Sequence, residues 1–129
     1  MFAALTMKKT NSIIYGLFGV GAVLYGAVAL LGPTFLMPEA AQSFHLRHIL
    51  REEGAAAVFV GLMAFWCIIN SERRKGVHYG LMVFTFLLAA IHWADHFAGY
   101  LGWLSPLYNS VPFLVLLIMR ILDRNGEAA

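Results

Sequence analysis

The chain has 129 residues, of which 60% are hydrophobic and only 12% are charged. Soluble domains carry about 25% charged residues, so this composition excludes a protein whose whole surface faces water. The formal net charge of +2 does not indicate nucleic-acid binding, because the basic residues flank the apolar segments. The single cysteine, Cys67, excludes an intrachain disulfide.

Four apolar segments lie along the chain, each near the length that crosses a ~30 Å hydrocarbon core. They predict an all-α integral membrane protein, a four-helix up-down bundle, in a single transmembrane domain over residues 1–129. The predicted spans cover residues 11–31, 50–70, 77–100 and 107–122.

The first span is rich in glycine and alanine, which let helix backbones approach closely in lipid. We expect Gly32-Pro33 to end it, because proline lacks an amide hydrogen and clashes with the preceding turn. Its apolar core, residues 13–31, is longer than the apolar region of a usual signal peptide, so we interpret it as a retained span.

A polar segment, residues 45–54 (HLRHILREEG), precedes the second span. In a helix, His45, His48 and Glu52 would share one face at i, i+3 and i+7. A basic turn, residues 71–76, follows that span. We expect His78, just after the turn, to be a solvated flanking residue.

The third span is apolar for two thirds of its length and then contains His92, Asp95 and His96 within five residues. Ionisable groups in a membrane-length segment are costly, and they often mark function. The next turn, residues 99–108, holds aromatic rings of the kind enriched at membrane–water interfaces. Pro112 is expected near the start of the fourth span, where a helix tolerates proline.

Lysine and arginine flank the spans unequally. Seven basic residues fall on one side of the predicted topology and two, Arg47 and Arg51, on the other. The positive-inside rule then predicts cytoplasmic termini and a cytoplasmic basic turn. We expect a multi-pass protein of the cell inner (plasma) membrane whose polar segment faces outward. The seven residues are Lys8, Lys9, Arg73, Arg74, Lys75, Arg120 and Arg124.

The second and third spans form a predicted hairpin about the basic turn. Antiparallel helices of equal rise would place residue i level with roughly residue 147 − i, to within about one turn. The end of the third span would then lie level with the start of the second. The candidate site at this depth contains His48, Glu52, Glu53, His92, Trp93, Asp95 and His96.

Three interpretations of this site stay open. A metal ion could be held, because imidazole and carboxylate ligands suit Zn, Fe, Mn or Cu and histidines at i, i+4 can chelate. A histidine could instead hold a haem or chlorin axially. The polar groups could also pair only to satisfy buried charge, for example Glu53 with His92 or His96. The candidate metal ligands are His48, Glu52, His92 and His96, and the candidate residues for another ligand are Glu53, Trp93 and Asp95.

Three stretches of the sequence resemble a known group of membrane proteins. They are residues 15–33 (YGLFGVGAVLYGAVALLGP), residues 51–54 (REEG) and Gly61-Leu62. With the four-span layout, they resemble the DoxX-like small bacterial four-helix membrane proteins. The resemblance implies a bacterial helix bundle and no particular activity, since that group is mostly uncharacterised. Residues 92–96 (HWADH) have no counterpart in it.

The sequence contains no nucleophile elbow, phosphate-binding loop or HExxH motif. We therefore predict a small accessory or structural component of a membrane assembly, with a polar, ligand-holding centre near the outer face. Its expected partners are the lipid bilayer and either further copies of the chain or other membrane proteins. The alternative is a membrane-embedded, metal-dependent enzyme acting on a lipid or a small apolar substrate, and the sequence does not decide between them.

Overall fold

Helices make up almost all of the structure, a computed structural model that describes residues 2–36, 43–70 and 73–127. No strand occurs in these ranges, so the prediction of an all-α protein is confirmed for them. The four helices are α1 (Phe2–Leu31), α2 (Phe44–Ile69), α3 (Lys75–Phe97) and α4 (Leu104–Glu127), and a 3-10 turn covers Pro33–Phe35.

All four helices are long and apolar enough to cross a membrane. The qualifying segments are Lys9–Leu31, Phe44–Ile69, Lys75–Phe97 and Leu104–Asp123. Each exceeds the length that a ~30 Å hydrocarbon core requires at 1.5 Å per residue. The expectation of a multi-pass membrane protein is confirmed at this level of length and composition.

The first two helices have clear end signals. α1 ends at Leu31, as Gly32-Pro33 predicts, and the Gly32 amide still bonds the Val28 carbonyl at 2.8 Å. α2 starts six residues before the predicted boundary. Its N-cap is Ser43, whose hydroxyl accepts a bond from the Leu46 amide at 3.2 Å and so satisfies a free donor. Within the predicted connection and basic turn, residues 37–42, Ser71 and Glu72 lie outside the described residues.

α3 ends at Phe97, three residues before the predicted boundary, in a glycine-terminated cap. Gly99 has φ +82°, which costs a glycine little because it has no Cβ. Its amide bonds the His96 carbonyl, and the Tyr100 amide bonds the Asp95 carbonyl, both at 2.9 Å. This pair of bonds is the Schellman motif, which satisfies carbonyls at the helix end and turns the chain back.

α4 corrects the expectation for Pro112. The helix begins at Leu104, so Pro112 lies inside it rather than in its first turn. Because proline has no amide hydrogen, the bond that residue 112 would make to the Tyr108 carbonyl is absent. The buried proline of the first turn is Pro106 instead, where an amide donor is not needed.

The chain divides into two compact units. The α1–α2 unit covers residues 12–71. The α3–α4 unit covers residues 72–129 together with residues 1–11, the N-terminal part of α1.

Glycines bring the backbones of α1 and α2 together in the first unit. A Cβ added to Gly26 would lie 2.6 Å from the Gly54 carbonyl oxygen, and one added to Gly61 would lie 2.8 Å from the Gly19 carbonyl oxygen. The pairs Gly19–Gly61 and Gly26–Gly54 run in opposite chain directions, so the helices are antiparallel. The glycines repeat every seven residues on each helix, a spacing that keeps one seam facing its partner.

The small residues of the first span form this seam, as expected for residues that let another helix approach closely. The partner of that face is α2 of the same chain, which contacts Gly19 and Gly26. By contrast, a Cβ on Gly21 would meet nothing within 4 Å.

Larger side chains fill the contact between α3 and α4. Phe86 and Phe113 meet with ring centroids 5.3 Å apart, and Leu81 and Leu116 are buried. The buried Thr85 hydroxyl is satisfied by its own helix, through the Leu81 carbonyl at 2.9 Å. The α3–α4 unit therefore contains a packed apolar layer. This layer separates the polar residues at the two ends of the unit.

Candidate functional site

His96 is held by the loop that follows α3. Its Nδ1 lies 2.9 Å from the Leu101 carbonyl oxygen. A carbonyl can only accept a hydrogen bond, so Nδ1 must carry the proton. In the neutral ring, Nε2 then bears the lone pair and is available to a cation or a hydrogen-bond donor.

His92 is held in a similar way, one helical turn earlier. Its Nδ1 lies 2.9 Å from the Ser105 hydroxyl in the first turn of α4. The Ser105 carbonyl in turn accepts a bond from the Asn109 side-chain amide at 2.9 Å. His92 and His96 are both half-buried and share a helix face at i, i+4.

Trp93 joins the same two helices. Its indole N–H donates to the Ser110 hydroxyl at 3.1 Å, and that hydroxyl donates to the Pro106 carbonyl at 2.8 Å. The Trp93 ring also meets the His96 ring edge-on, with centroids 5.9 Å apart. Through these contacts Trp93 holds the end of α3 against α4. Its role in ligand binding stays a prediction.

Asp95 is half-buried and lies on the helix face that carries His92 and His96. Its backbone carbonyl belongs to the cap described above.

The other predicted ligands lie in the α1–α2 unit. His48 Nε2 and Glu52 Oε1 are 3.4 Å apart, on side chains that are 59% and 69% exposed. Glu53 accepts a 2.7 Å hydrogen bond from the Tyr25 hydroxyl of α1. Tyr25 was not among the residues that the sequence singled out.

The structure thus brings the predicted residues together as two local sets, one in each unit. Among the described residues, no group of three or more His, Cys, Asp or Glu side chains could hold a metal ion. The pairing of Glu53 with His92 or His96 joins residues of different units and stays a prediction.

A second polar cluster, which the sequence did not reveal, lies at the other end of the α3–α4 unit. Asp123 accepts from the Asn11 side-chain amide at 2.8 Å and pairs with Arg74 at 3.0 Å. Asn11 is 6% exposed, which shows how far this network is withdrawn from solvent. Nearby, the Arg120 guanidinium donates to the Tyr79 hydroxyl at 2.8 Å. We call Asn11, Arg74 and Asp123 the Asp123 cluster.

His78 corrects an expectation. It was expected to be solvated, but it is only 4% exposed. Its imidazole faces the Leu116 carbonyl, and Arg74 and Asp123 act on it electrostatically. The positive-inside argument treated Arg74 as a flanking charge, and it therefore did not anticipate a partly buried ion pair beside this histidine.

The fold and these polar sets define a small multi-pass membrane protein with hydrogen-bonded polar residues within its spans. The chain belongs to a family defined by a domain of unknown function, DUF4345, whose model matches residues 11–92. That match includes most of α1, all of α2 and α3 as far as His92. No curated protein and no solved structure matches the chain. The family found is DUF4345. The likeness to DoxX-like proteins stays an interpretation of the sequence.

Proposed function

We propose that this protein is a non-catalytic accessory or structural component of a membrane assembly, with a polar, ligand-holding centre near its outer face. One observation carries the proposal: the polar side chains within the spans bond neighbouring helices to each other. Tyr25 binds Glu53, and Trp93 binds Ser110. Polar groups used in this way fix the register of the helices. A component of a membrane assembly requires a fixed register, because it must present a constant surface to its partners.

Four membrane-length helices and the charge distribution support the proposed arrangement. The spans would form an up-down bundle in the inner membrane of a bacterium, with both termini and the basic turn in the cytoplasm. The likeness to DoxX-like proteins agrees with this layout. His92 and His96 would then lie toward the outer face.

Exposed apolar residues on α1 support association with lipid and with protein partners. Ile13, Leu17, Val20 and Leu24 recur at intervals of four, three and four residues, so they share one face of the helix. The glycine seam is already occupied by α2, whereas this exposed face is available to lipid, a second copy or another membrane protein.

Photo-crosslinking in native membranes tests the proposal. A photoreactive residue at Leu17 or Leu24 should give a discrete protein adduct, while the same probe at the buried Ala64 should give none. Native mass spectrometry after gentle extraction should show the matching complex in fixed stoichiometry. Lipid adducts alone, together with a monomeric mass, would contradict an assembly role.

A second candidate is a metal-dependent enzyme that acts on a lipid or a small apolar substrate. The hydrogen bond of His96 favours it, because an Nδ1–H bound to the Leu101 carbonyl makes Nε2 the ring nitrogen that could act as a ligand or base. Elemental analysis and absorption spectra of protein purified without chelators would separate the cases, and would also report a haem or chlorin. Stoichiometric metal with turnover would favour the enzyme over the accessory component.

A further inference from the structure

We propose that His92 and His96 together hold one divalent transition-metal ion through their Nε2 atoms, as an open, exchangeable site. This inference rests on the ligand-holding part of the proposed function and names its ligand. Residues four apart on a helix lie one above the other, so both rings project from one face. Two imidazoles at this spacing form a chelating pair.

The hydrogen bonds to the two rings support this assignment. Metal-binding histidines nearly always bind a carbonyl, a carboxylate or water through their other ring nitrogen, which fixes the ring and its tautomer. His96 meets this requirement through the Leu101 carbonyl, and His92 meets it when its Nδ1 donates to the Ser105 hydroxyl. Both supporting groups follow α3 in the chain: Leu101 lies in the loop and Ser105 in the first turn of α4, so the connection between the two helices orients both ligands.

The local electrostatics favour a cation. The two histidines occupy the last two turns of α3, where the helix dipole places partial negative charge. Asp95 adds a carboxylate on the same face. That carboxylate can bind the water ligands of the metal without coordinating the ion itself.

A water-borne ion can reach this site. Phe97 and Tyr100, which follow the histidines, are 79% and 81% exposed. Exposed aromatic rings at a span end are typical of the membrane–water interface. In the proposed topology the site lies near this interface, where water supplies the ion and its remaining ligands.

The ligand set also selects the kind of ion. Imidazole suits Cu²⁺, Ni²⁺ and Zn²⁺, whereas Mg²⁺ and Ca²⁺ require oxygen ligands. Cu²⁺ should bind most tightly, following the general order of affinities for divalent metals. Because no larger ligand group exists among the described residues, water completes the coordination, and the ion can be exchanged or passed on.

The experiment is Cu²⁺ titration of the folded wild-type protein in nanodiscs, followed by isothermal calorimetry and electron paramagnetic resonance. We expect one ion per chain, coupling to two imidazole nitrogens, weaker binding of Zn²⁺ and no binding of Mg²⁺. His92→Ala and His96→Ala should each lose the two-nitrogen signal. Ser105→Ala should keep that signal but bind about tenfold more weakly, the lower end of the usual effect of removing a supporting group.

Further variants keep the result decisive. His45→Ala serves as the control and should bind Cu²⁺ as the wild type does. Loss of the signal in His48→Ala or Glu52→Gln, with its retention in His92→Ala, would move the site to α2 and overturn the proposal. Absence of stoichiometric Cu²⁺ from folded wild-type protein would overturn it as well. The paramagnetic resonance signal of the wild-type protein counts the coordinating nitrogens directly. The proposal can therefore be tested even if a variant fails to fold.

The two proposals fail separately. A protein that forms the crosslinked assembly but binds no Cu²⁺ disproves only the metal site. A protein that binds Cu²⁺ through two imidazoles but remains monomeric disproves only the assembly role.

Discussion

The two units hold their helices together by different means. In the α1–α2 unit, glycines bring backbone against backbone, and the polar pairs Tyr25–Glu53 and His48–Glu52 lie on exposed surface. In the α3–α4 unit, large side chains fill the contact, and half-buried polar residues bond across it at both ends. Close backbone packing makes the α1–α2 unit sensitive to added volume, and half-buried polar bonds make the α3–α4 unit sensitive to lost partners.

The largest expected effect is on the glycine seam. Gly26→Leu should destabilise the protein by about 3 kcal/mol or more, at the upper end of overpacking costs. The reason is that a Cβ at residue 26 already meets the Gly54 carbonyl oxygen at 2.6 Å and the Val58 backbone nitrogen at 2.8 Å. Backbone atoms cannot turn aside as a flexible side chain can, so the helices must separate.

Gly21→Leu is the matched control. It makes the same exchange five residues away on α1, where an added Cβ meets nothing within 4 Å. Unfolding in mixed micelles, followed by circular dichroism, should separate the two variants clearly. Equal loss in both would show that the seam does not set the cost, because exchanging glycine for leucine by itself favours a helix.

The Asp123 cluster should give the next largest effect. Asp123→Ala leaves the Arg74 guanidinium, whose side chain is 14% exposed, without this carboxylate. Removing one partner of a fully buried pair costs about 3–5 kcal/mol, and partial exposure here lowers the expected loss to about 2 kcal/mol. The same unfolding measurement gives the value.

A double-mutant cycle isolates the pair. Arg74→Gln combined with Asp123→Ala should cost less than the sum of the single variants, because the interaction between the two side chains can be lost only once. Strict additivity of the two losses would show that the ion pair contributes nothing to stability.

Trp93→Phe tests the hydrogen-bonded end of the α3–α4 unit. The exchange keeps an aromatic ring but removes the indole donor to Ser110. The expected loss is about 1 kcal/mol, the usual net worth of one hydrogen bond. Trp66→Phe is a control in the other unit. A smaller loss at residue 93 than at residue 66 would show that Trp93 acts mainly by its volume.

The spans could be predicted from the sequence, but several of their ends could not. Long apolar stretches reveal a membrane helix whatever its partners are. The polar start of α2 carries no such signal, and only the Ser43 cap shows where the helix begins. Pro112 was misplaced for the same reason, since α4 begins in a segment that was interpreted as a turn.

The candidate site was predicted only in part. Residue spacing places His92 and His96 on one face, because that depends on helix geometry alone. Their bonds to Ser105 and Leu101 depend on how the following loop folds back. The contact between Asn11 and Asp123 joins residues 112 positions apart, and no local pattern reports such a pairing.

The smallest expected effect is at the exposed polar pair of the α1–α2 unit. Tyr25→Phe keeps the ring and removes only the hydroxyl that donates to Glu53 at 2.7 Å. Hydrogen bonds between membrane helices average about 0.6 kcal/mol, because the polar groups find other partners when the helices separate. We expect a loss of that size. Tyr108→Phe, which removes a hydroxyl from a side chain that is 70% exposed on α4, is the control. If Tyr25→Phe instead cost as much as Asp123→Ala, Glu53 would be a structural centre of its unit, and the contrast between a backbone-packed unit and a polar-bonded unit would fail.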